Sequence, residues 1–285
     1  RRSGVLTRGK VGSRWSKDLR MLSICIISGK GGTGKSSLCA SFAKLCATPI
    51  VLADCDVDAA NLSLFFDGED CGREEFFAGQ IAQIDAERCS LCQECVDVCR
   101  FDAINATLTD LDIDQLKCEG CGACALVCPH GAIGFVPDMV GHVLHRKTQN
   151  KELVHACLGV AKDNSGKLVA RVRQDAKELA EKNQVDFVLI DGPPGIGCPV
   201  HASLQGVDMA VIVTEPSVSG MHDFIRTRQL CEHFGLTTCT IINKYDLNES
   251  VCKKIEEHAD STAATVVGKI PFDKKIVHAQ CEGKT

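Results

Sequence analysis

From residue 21 onward, short continuous apolar runs alternate with stretches in which apolar positions recur every three to four residues. Leu22–Ser28 and Ile50–Ala53 read as buried strands, as do Val185–Ile190, Met209–Thr214, Thr238–Ile242 and Thr265–Ile270. Helical spacing falls at about Lys35–Ala47, Leu168–Lys182, Gly220–Phe234 and Glu249–Ala259. Strands apolar on both faces and separated by helices predict an α/β fold, with a doubly wound, mostly parallel sheet covered on both sides. Over 67–139 this rhythm gives way to dense Cys, Gly and Asp. That segment reads as a small inserted α+β domain, leaving 21–66 and 140–285 as the two parts of one parent domain. Residues 1–20 have no apolar run and carry seven Lys or Arg against one Asp; they read as a disordered basic tail ahead of a start at Met21.

Composition narrows the function classes. A hydrophobic share of 45% is enough for a large core, while one Trp and one Tyr leave little for base or sugar stacking. With its basic residues concentrated at the start, the rest of the chain is more acidic than the net charge of −5 suggests, which disfavours nucleic acid and suits a basic protein partner. No segment is long and apolar enough to span a membrane, so a cytoplasmic location is expected. Of nineteen cysteines, eight fall within 89–128. In a chain with no secretory signal that clustering points to metal chemistry rather than a disulfide framework.

Those eight form a repeat. Arg88–Ile104 (RCSLCQECVDVCRFDAI) matches Lys117–Ile133 (KCEGCGACALVCPHGAI) at an offset of 29, all four cysteines in register. Each copy reads C-x2-C-x2-C-x3-C, and the second ends in Pro129. Zinc sites use separated C-x2-C pairs instead. The run resembles that of bacterial two-cluster ferredoxins, in which the fourth Cys of each run ligates the other cluster. The resemblance implies two [4Fe-4S] clusters, one on Cys89, Cys92, Cys95 and Cys128, the other on Cys118, Cys121, Cys124 and Cys99. Arg100 stands where the first run would have Pro, a change of local charge but not of ligand.

A second motif lies between the first strand and the first helix. Gly29-Lys30-Gly31-Gly32-Thr33-Gly34-Lys35-Ser36, followed by Ser37, satisfies G-x4-G-K-[ST], whose backbone N–H groups cradle phosphates. Lys35 is expected at the β- and γ-phosphates and Ser36 on Mg²⁺. The additional Lys30 makes the loop resemble the deviant Walker A motif of MinD/ParA-type ATPases. By that resemblance Lys30 reaches across a nucleotide-bound dimer to the partner's phosphates. Val51–Asp56 is similar to the family's switch I, implying that Asp56 positions the attacking water. Phe187–Gly195 is similar to its Walker B and switch II, implying Asp191 near Mg²⁺ and the Gly195 backbone near the γ-phosphate.

Asn243-Lys244-Tyr245-Asp246 gives two readings of the base. Asn243 reads adenine if the family pattern holds, whereas Asn243 with Asp246 also matches the N-K-x-D of GTPases. ATP is the expected nucleotide and GTP the alternative. Cys198 follows Asp191 by seven residues, an offset at which the related nitrogenase iron protein has a cluster ligand. Cys198 is therefore either an intersubunit metal ligand, with Cys157 a candidate partner, or an ordinary buried cysteine.

Together the motifs resemble MinD-superfamily ATPases with an inserted ferredoxin domain. The resemblance implies a homodimer, or a heterodimer with a similar chain, coupling ATP hydrolysis and dimer closure to electron transfer toward a redox or metalloprotein partner. The alternative is ATP-dependent assembly or delivery of an iron–sulfur or mixed-metal centre. Neither membrane nor nucleic acid is expected as a partner.

Overall fold

A computed structural model describes residues 21–148 and 150–281. The expected tail, 1–20, lies outside them.

The apolar runs form the centre of a nine-stranded sheet. Its strands are β1 (Leu22–Ser28), β2 (Ile50–Asp54), β3 (Glu69–Ile84), β6 (Ile133–Lys147), β7 (Lys151–Leu158), β8 (Phe187–Pro194), β9 (Met209–Thr214), β10 (Thr237–Asn243) and β11 (Thr265–Ile270). The order is β11-β10-β9-β1-β8-β2-β7-β6-β3, and pairing is parallel from β11 to β7. β6 and β3 then add antiparallel to the β7 edge. Between them, β4 (Ile104–Ala106) and β5 (Leu111–Ile113) pair as a separate hairpin.

Both sheet faces are covered, which is why the strands are apolar throughout rather than alternating. Cys25 and Ile27 of β1 face one core with Leu168 and Val172 of α4 (Ser165–Lys182) and Val200 of α5 (Cys198–Leu204). Phe224 of α6 (Val218–His233) and Ile255 of α7 (Glu249–Ser261) continue that layer. Ile26 and Leu52 face the other core, with Cys39, Ala40 and Ala43 of α1 (Lys35–Leu45). The final helix, α8, spans Lys274–Cys281.

Three elements depart from the sequence reading. β7 (KELVHACL) was not expected, because Lys151, Glu152 and His155 interrupt its apolar run; pairing with β2 and β6 makes it a strand. β3 and β6 are long ribbons whose polar sequences carry no buried-strand signal. β6 crosses the expected boundary at 139/140 without a break, so the inserted segment is an outgrowth of the main sheet.

The sequence repeat is also a backbone repeat. α2 (Glu94–Val98) and α3 (Ala123–Val127) lie 29 residues apart. Cys89 N and Cys118 N donate to the carbonyls of Asp85 and Asp114, again 29 apart. Positive φ occurs at Leu91, Gln93 and Asp102 and, in register, at Gly120, Gly122 and Gly131. The second copy therefore has glycine wherever the turn is left-handed, and the first copy carries side chains there at some cost.

Gly120 is the tightest of these positions, since an added Cβ would collide with the Gln80 carbonyl. Gly120→Ala is expected to destabilise the insert by about 3 kcal/mol. Leu91→Gly, at the matching turn, should stabilise it by about 1 kcal/mol or less. Hydrogen exchange of insert amides measures both, with the amides of β1 and β8 as the unaffected reference.

Candidate functional site

The phosphate loop joins the C-terminal end of β1 to α1, where the first-turn N–H groups have no intrahelical acceptor. Gly34 caps the helix at φ 94°, a conformation that favours glycine. Gly29 lies so close to Asp223, at the start of α6, that a Cβ would fall 2.5 Å from the Asp223 Cβ. An open cleft begins at this loop; Lys35, Ser36, Asp56 and Asn243 line it, with Pro271 and Phe272 beyond.

Two buried carboxylates meet beside the phosphate loop. Asp54 and Asp191 are neighbours in the β2–β8 register and both are fully buried. Asp54 accepts from Leu62 N at 3.0 Å and Asp56 N at 3.1 Å. Burial, then the Asp191 charge, pushes the Asp54 carboxyl well up from its ordinary range. Asp191 is raised chiefly by burial, against the lowering effect of the Ser36 hydroxyl and the Lys35 ammonium. Among the described residues neither Asp191 oxygen has a hydrogen-bond partner of good geometry, and Thr33 Oγ1 is likewise buried without one.

Buried carboxylates and an orphaned hydroxyl at a phosphate loop fit a divalent cation with a nucleotide, which would supply the missing charge and hydrogen bonds. Asp54 was missing from the sequence-derived set. Its signal, an Asp ending a buried strand and paired with Asp191 of β8, needed the sheet order to be read.

Asp56 is half-buried at the rim; burial raises its carboxyl and Lys35 opposes that rise. Gly195 turns at φ 91° and donates its N–H to Ser28 O at 2.9 Å. Asn243 Nδ2 donates to Thr33 O at 2.8 Å, tying β10 to the phosphate loop. Asp246 instead accepts from Phe272 N at 2.7 Å and so fixes the segment after β11.

The cysteines of the insert surround two smaller cavities. One is lined by Cys89, Cys92, Cys95 and Cys128; the other by Cys99, Cys118, Cys121 and Cys124. Each thus draws three cysteines from one run and the fourth from the other. Backbone N–H groups point at sulfur: Ala82 N at 3.4 Å from Cys118 Sγ, and Ala132 N at 3.3 Å from Cys128 Sγ. Such donors stabilise thiolates and tune cluster potential. Burial raises the Cys95 and Cys124 thiols, which a bound metal would reverse.

Among the described residues no three Cys, His, Asp or Glu side chains converge on a point where a single ion could sit. Four soft thiol donors line each cavity, a donor set that fits an iron–sulfur cluster. The surrounding insert is strongly acidic, with fifteen Asp and Glu against four Lys and Arg over 67–139.

The insert and the cleft are joined by specific contacts. Val57, next to Asp56, accepts from Leu158 N at 3.1 Å, and Gly159 N donates to Val140 O in β6 at 2.8 Å. Lys162 pairs with Asp138 at 2.6 Å. In α4, Arg171 reaches Glu74 of β3 at 2.7 Å while Arg173 donates to Ala202 O of α5 at 2.6 Å. Helix α4 therefore touches the insert ribbon on one side and α5 on the other. Cys198, at the start of α5, and Cys157, in β7, are both exposed, so the buried reading of Cys198 does not hold.

An uncharacterised protein of Methanocaldococcus jannaschii, MJ0578, is 37% identical over 230 residues, covering 80% of each chain. An uncharacterised ferredoxin of the same organism, MJ0155, is 28% identical over 103 residues, 35% of this chain and 68% of that one. The septum site-determining protein MinD of Pyrococcus horikoshii, solved with Mg-ADP, superposes with a TM-score of 0.52 at 20% identity, covering 93% of this chain and 87% of that one. No helix among the described residues is long and apolar enough to cross a membrane. The profile of the CobQ/CobB/MinD/ParA nucleotide binding domain matches residues 24–285, and with the phosphate loop, the Asp54–Asp191 pair and the parallel sheet order in agreement, the chain belongs to that family.

Proposed function

We propose that this protein is an ATPase that closes as a dimer on ATP and Mg²⁺ and uses that closure to gate electron transfer from its insert to a partner protein. The observation that carries the reading is the physical link between cleft and insert: the Val57–Leu158 and Gly159–Val140 hydrogen bonds and the two-sided contacts of α4. Elements that change with nucleotide state are thereby packed against the ribbon that bears the cysteines.

The roles follow from position. Backbone N–H groups of Gly31–Ser36 bind phosphate oxygens, and Lys35 neutralises them. Ser36 with Asp191, supported by Asp54, holds Mg²⁺. Asp56 orients the attacking water in line with the γ-phosphate. Lys30 approaches the phosphates of the facing subunit. Asn243, which lines the cleft, would read the base.

In the insert, Cys89, Cys92, Cys95 and Cys128 would hold one [4Fe-4S] cluster and Cys99, Cys118, Cys121 and Cys124 the other. Bound there, the clusters would supply one-electron chemistry at low potential. The acidic insert surface favours a basic face on the electron acceptor.

The test is reoxidation of the reduced, anaerobically purified protein by its co-purifying partner. ATP with Mg²⁺ is expected to change that rate several-fold; equal rates with and without ATP would remove gating. A second reading, delivery of a metal centre, rests on the exposed Cys157 and Cys198. It gains ground if Cys198→Ala lowers iron per dimer only in the presence of ATP.

A further inference from the structure

Lys30, the residue that marks this phosphate loop, is not free to leave its own subunit. Its ammonium lies 2.7 Å from Glu215 Oε1, 3.2 Å from Ser217 Oγ and 3.1 Å from Ser219 Oγ. The other oxygen of Glu215 is 3.1 Å from Lys244 Nζ, and Lys244 also donates to Gly32 O in the phosphate loop at 3.2 Å. One carboxylate therefore holds two lysines against the rim of the cleft. Its side chain is only 19% exposed, so the contact is less screened by water than a surface ion pair.

The segment that carries Glu215 is firmly placed. It follows β9 directly, Ser217 caps α6 by accepting from Gly220 N at 3.0 Å, and Gly29 packs on Asp223 of the same helix. Lys244, for its part, follows Asn243 at the end of β10 and touches the loop that takes the phosphates.

We infer that Glu215 is a positioning residue that latches Lys30 in the resting subunit and sets the ATP concentration at which the dimer closes. The inference rests on the dimer reading above. To reach a partner's phosphates, Lys30 must give up three acceptors at once. Lys244 makes that release feasible: when Lys30 leaves, Glu215 stays paired, and no buried carboxylate is stranded. Because Lys244 borders both Asn243 and Gly32, nucleotide entering the cleft acts on the latch from the second lysine.

The two halves of the clamp predict opposite effects. Sedimentation of the full chain, purified anaerobically and titrated with ATP and Mg²⁺, gives the midpoint for dimer formation. Glu215→Gln keeps the shape and removes the charge, and is expected to lower that midpoint about tenfold. ATP affinity of the isolated subunit, measured at protein concentrations below dimerisation, should change by less than about twofold. Lys244→Met leaves Lys30 as the sole countercharge of Glu215, and is expected to raise the midpoint by a similar factor. Ser219→Ala removes one exposed acceptor and should lower it slightly; it serves if Glu215→Gln does not fold.

An unchanged or raised midpoint in Glu215→Gln would sink the latch, as would a shift of the same sign in Glu215→Gln and Lys244→Met, which plain destabilisation would give. A wild-type protein that stays monomeric at saturating ATP overturns the dimer reading and the latch together. A wild type that dimerises beside an unshifted Glu215→Gln overturns the latch alone.

Discussion

Cys89→Ala combined with Cys99→Ala is expected to strip nearly all iron from the anaerobically purified protein, although both substitutions fall in the same four-cysteine run. Each single variant should lose about half. The reason is the crossed lining of the two cavities: Cys89 belongs with Cys128, and Cys99 with Cys118, Cys121 and Cys124. If each run held its own cluster, the double variant would keep as much iron as either single one.

Cys99→Ala with Cys118→Ala, taken from different runs but one cavity, should retain about half of the iron. Iron and acid-labile sulfide counting, with metal analysis for zinc, reads all four variants. Stoichiometric zinc in the wild type would overturn the cluster reading itself.

Asp56→Asn is expected to slow ATP hydrolysis by about a hundredfold or more while leaving ATP-dependent dimer formation in place. Asp56 stands at the cleft rim, half-buried, with Lys35 as its opposing charge. The amide preserves the shape but not the charge that orients the water. Phosphate release measures the loss, and sedimentation in ATP measures persistence of the closed form. Hydrolysis within about threefold of wild type would move the water-positioning role elsewhere. Because Asp191, the proposed Mg²⁺ carboxylate, and its neighbour Asp54 are untouched, binding of Mg²⁺ and nucleotide should be retained, which separates this variant from one that damages the site.

The coupling proposed between cleft and insert has a definite structural location. Val57 adjoins Asp56, and it is hydrogen-bonded to the end of β7, which is in turn bonded to β6. The Lys162–Asp138 pair lies at the same junction, both side chains largely buried. Under the proposed coupling, a displacement at Asp56 would have a packed neighbour to push against, in a ribbon continuous with the main sheet. Had the insert been joined by a flexible linker, nucleotide state could have altered only its position in space and not its internal geometry.

The phosphate loop and the cysteine runs were legible because each is a local object. Both keep their reactive groups within about a dozen residues, and the backbone geometry they require is written as glycine or as fixed spacing. The central strands and the helices over Ser165–Lys182, Val218–His233 and Glu249–Ser261 were legible for a similar reason, since burial on one or both faces leaves its period in the sequence.

What only the tertiary structure decided is everything that depends on strand order and on polar groups meeting from distant segments. β7 and the β3–β6 ribbon have sequences too polar to stand out as strands; hydrogen bonds to neighbours far along the chain define them. Asp54 gains its importance only when β2 lies beside β8 and sets it next to Asp191. Glu215 lies almost two hundred residues from Lys30, and nothing in either local sequence says that one carboxylate will hold two lysines. Spacing along a chain encodes what a helix, a strand or a loop can do alone. Desolvation and the pairing of charges are settled by which elements the sheet brings side by side.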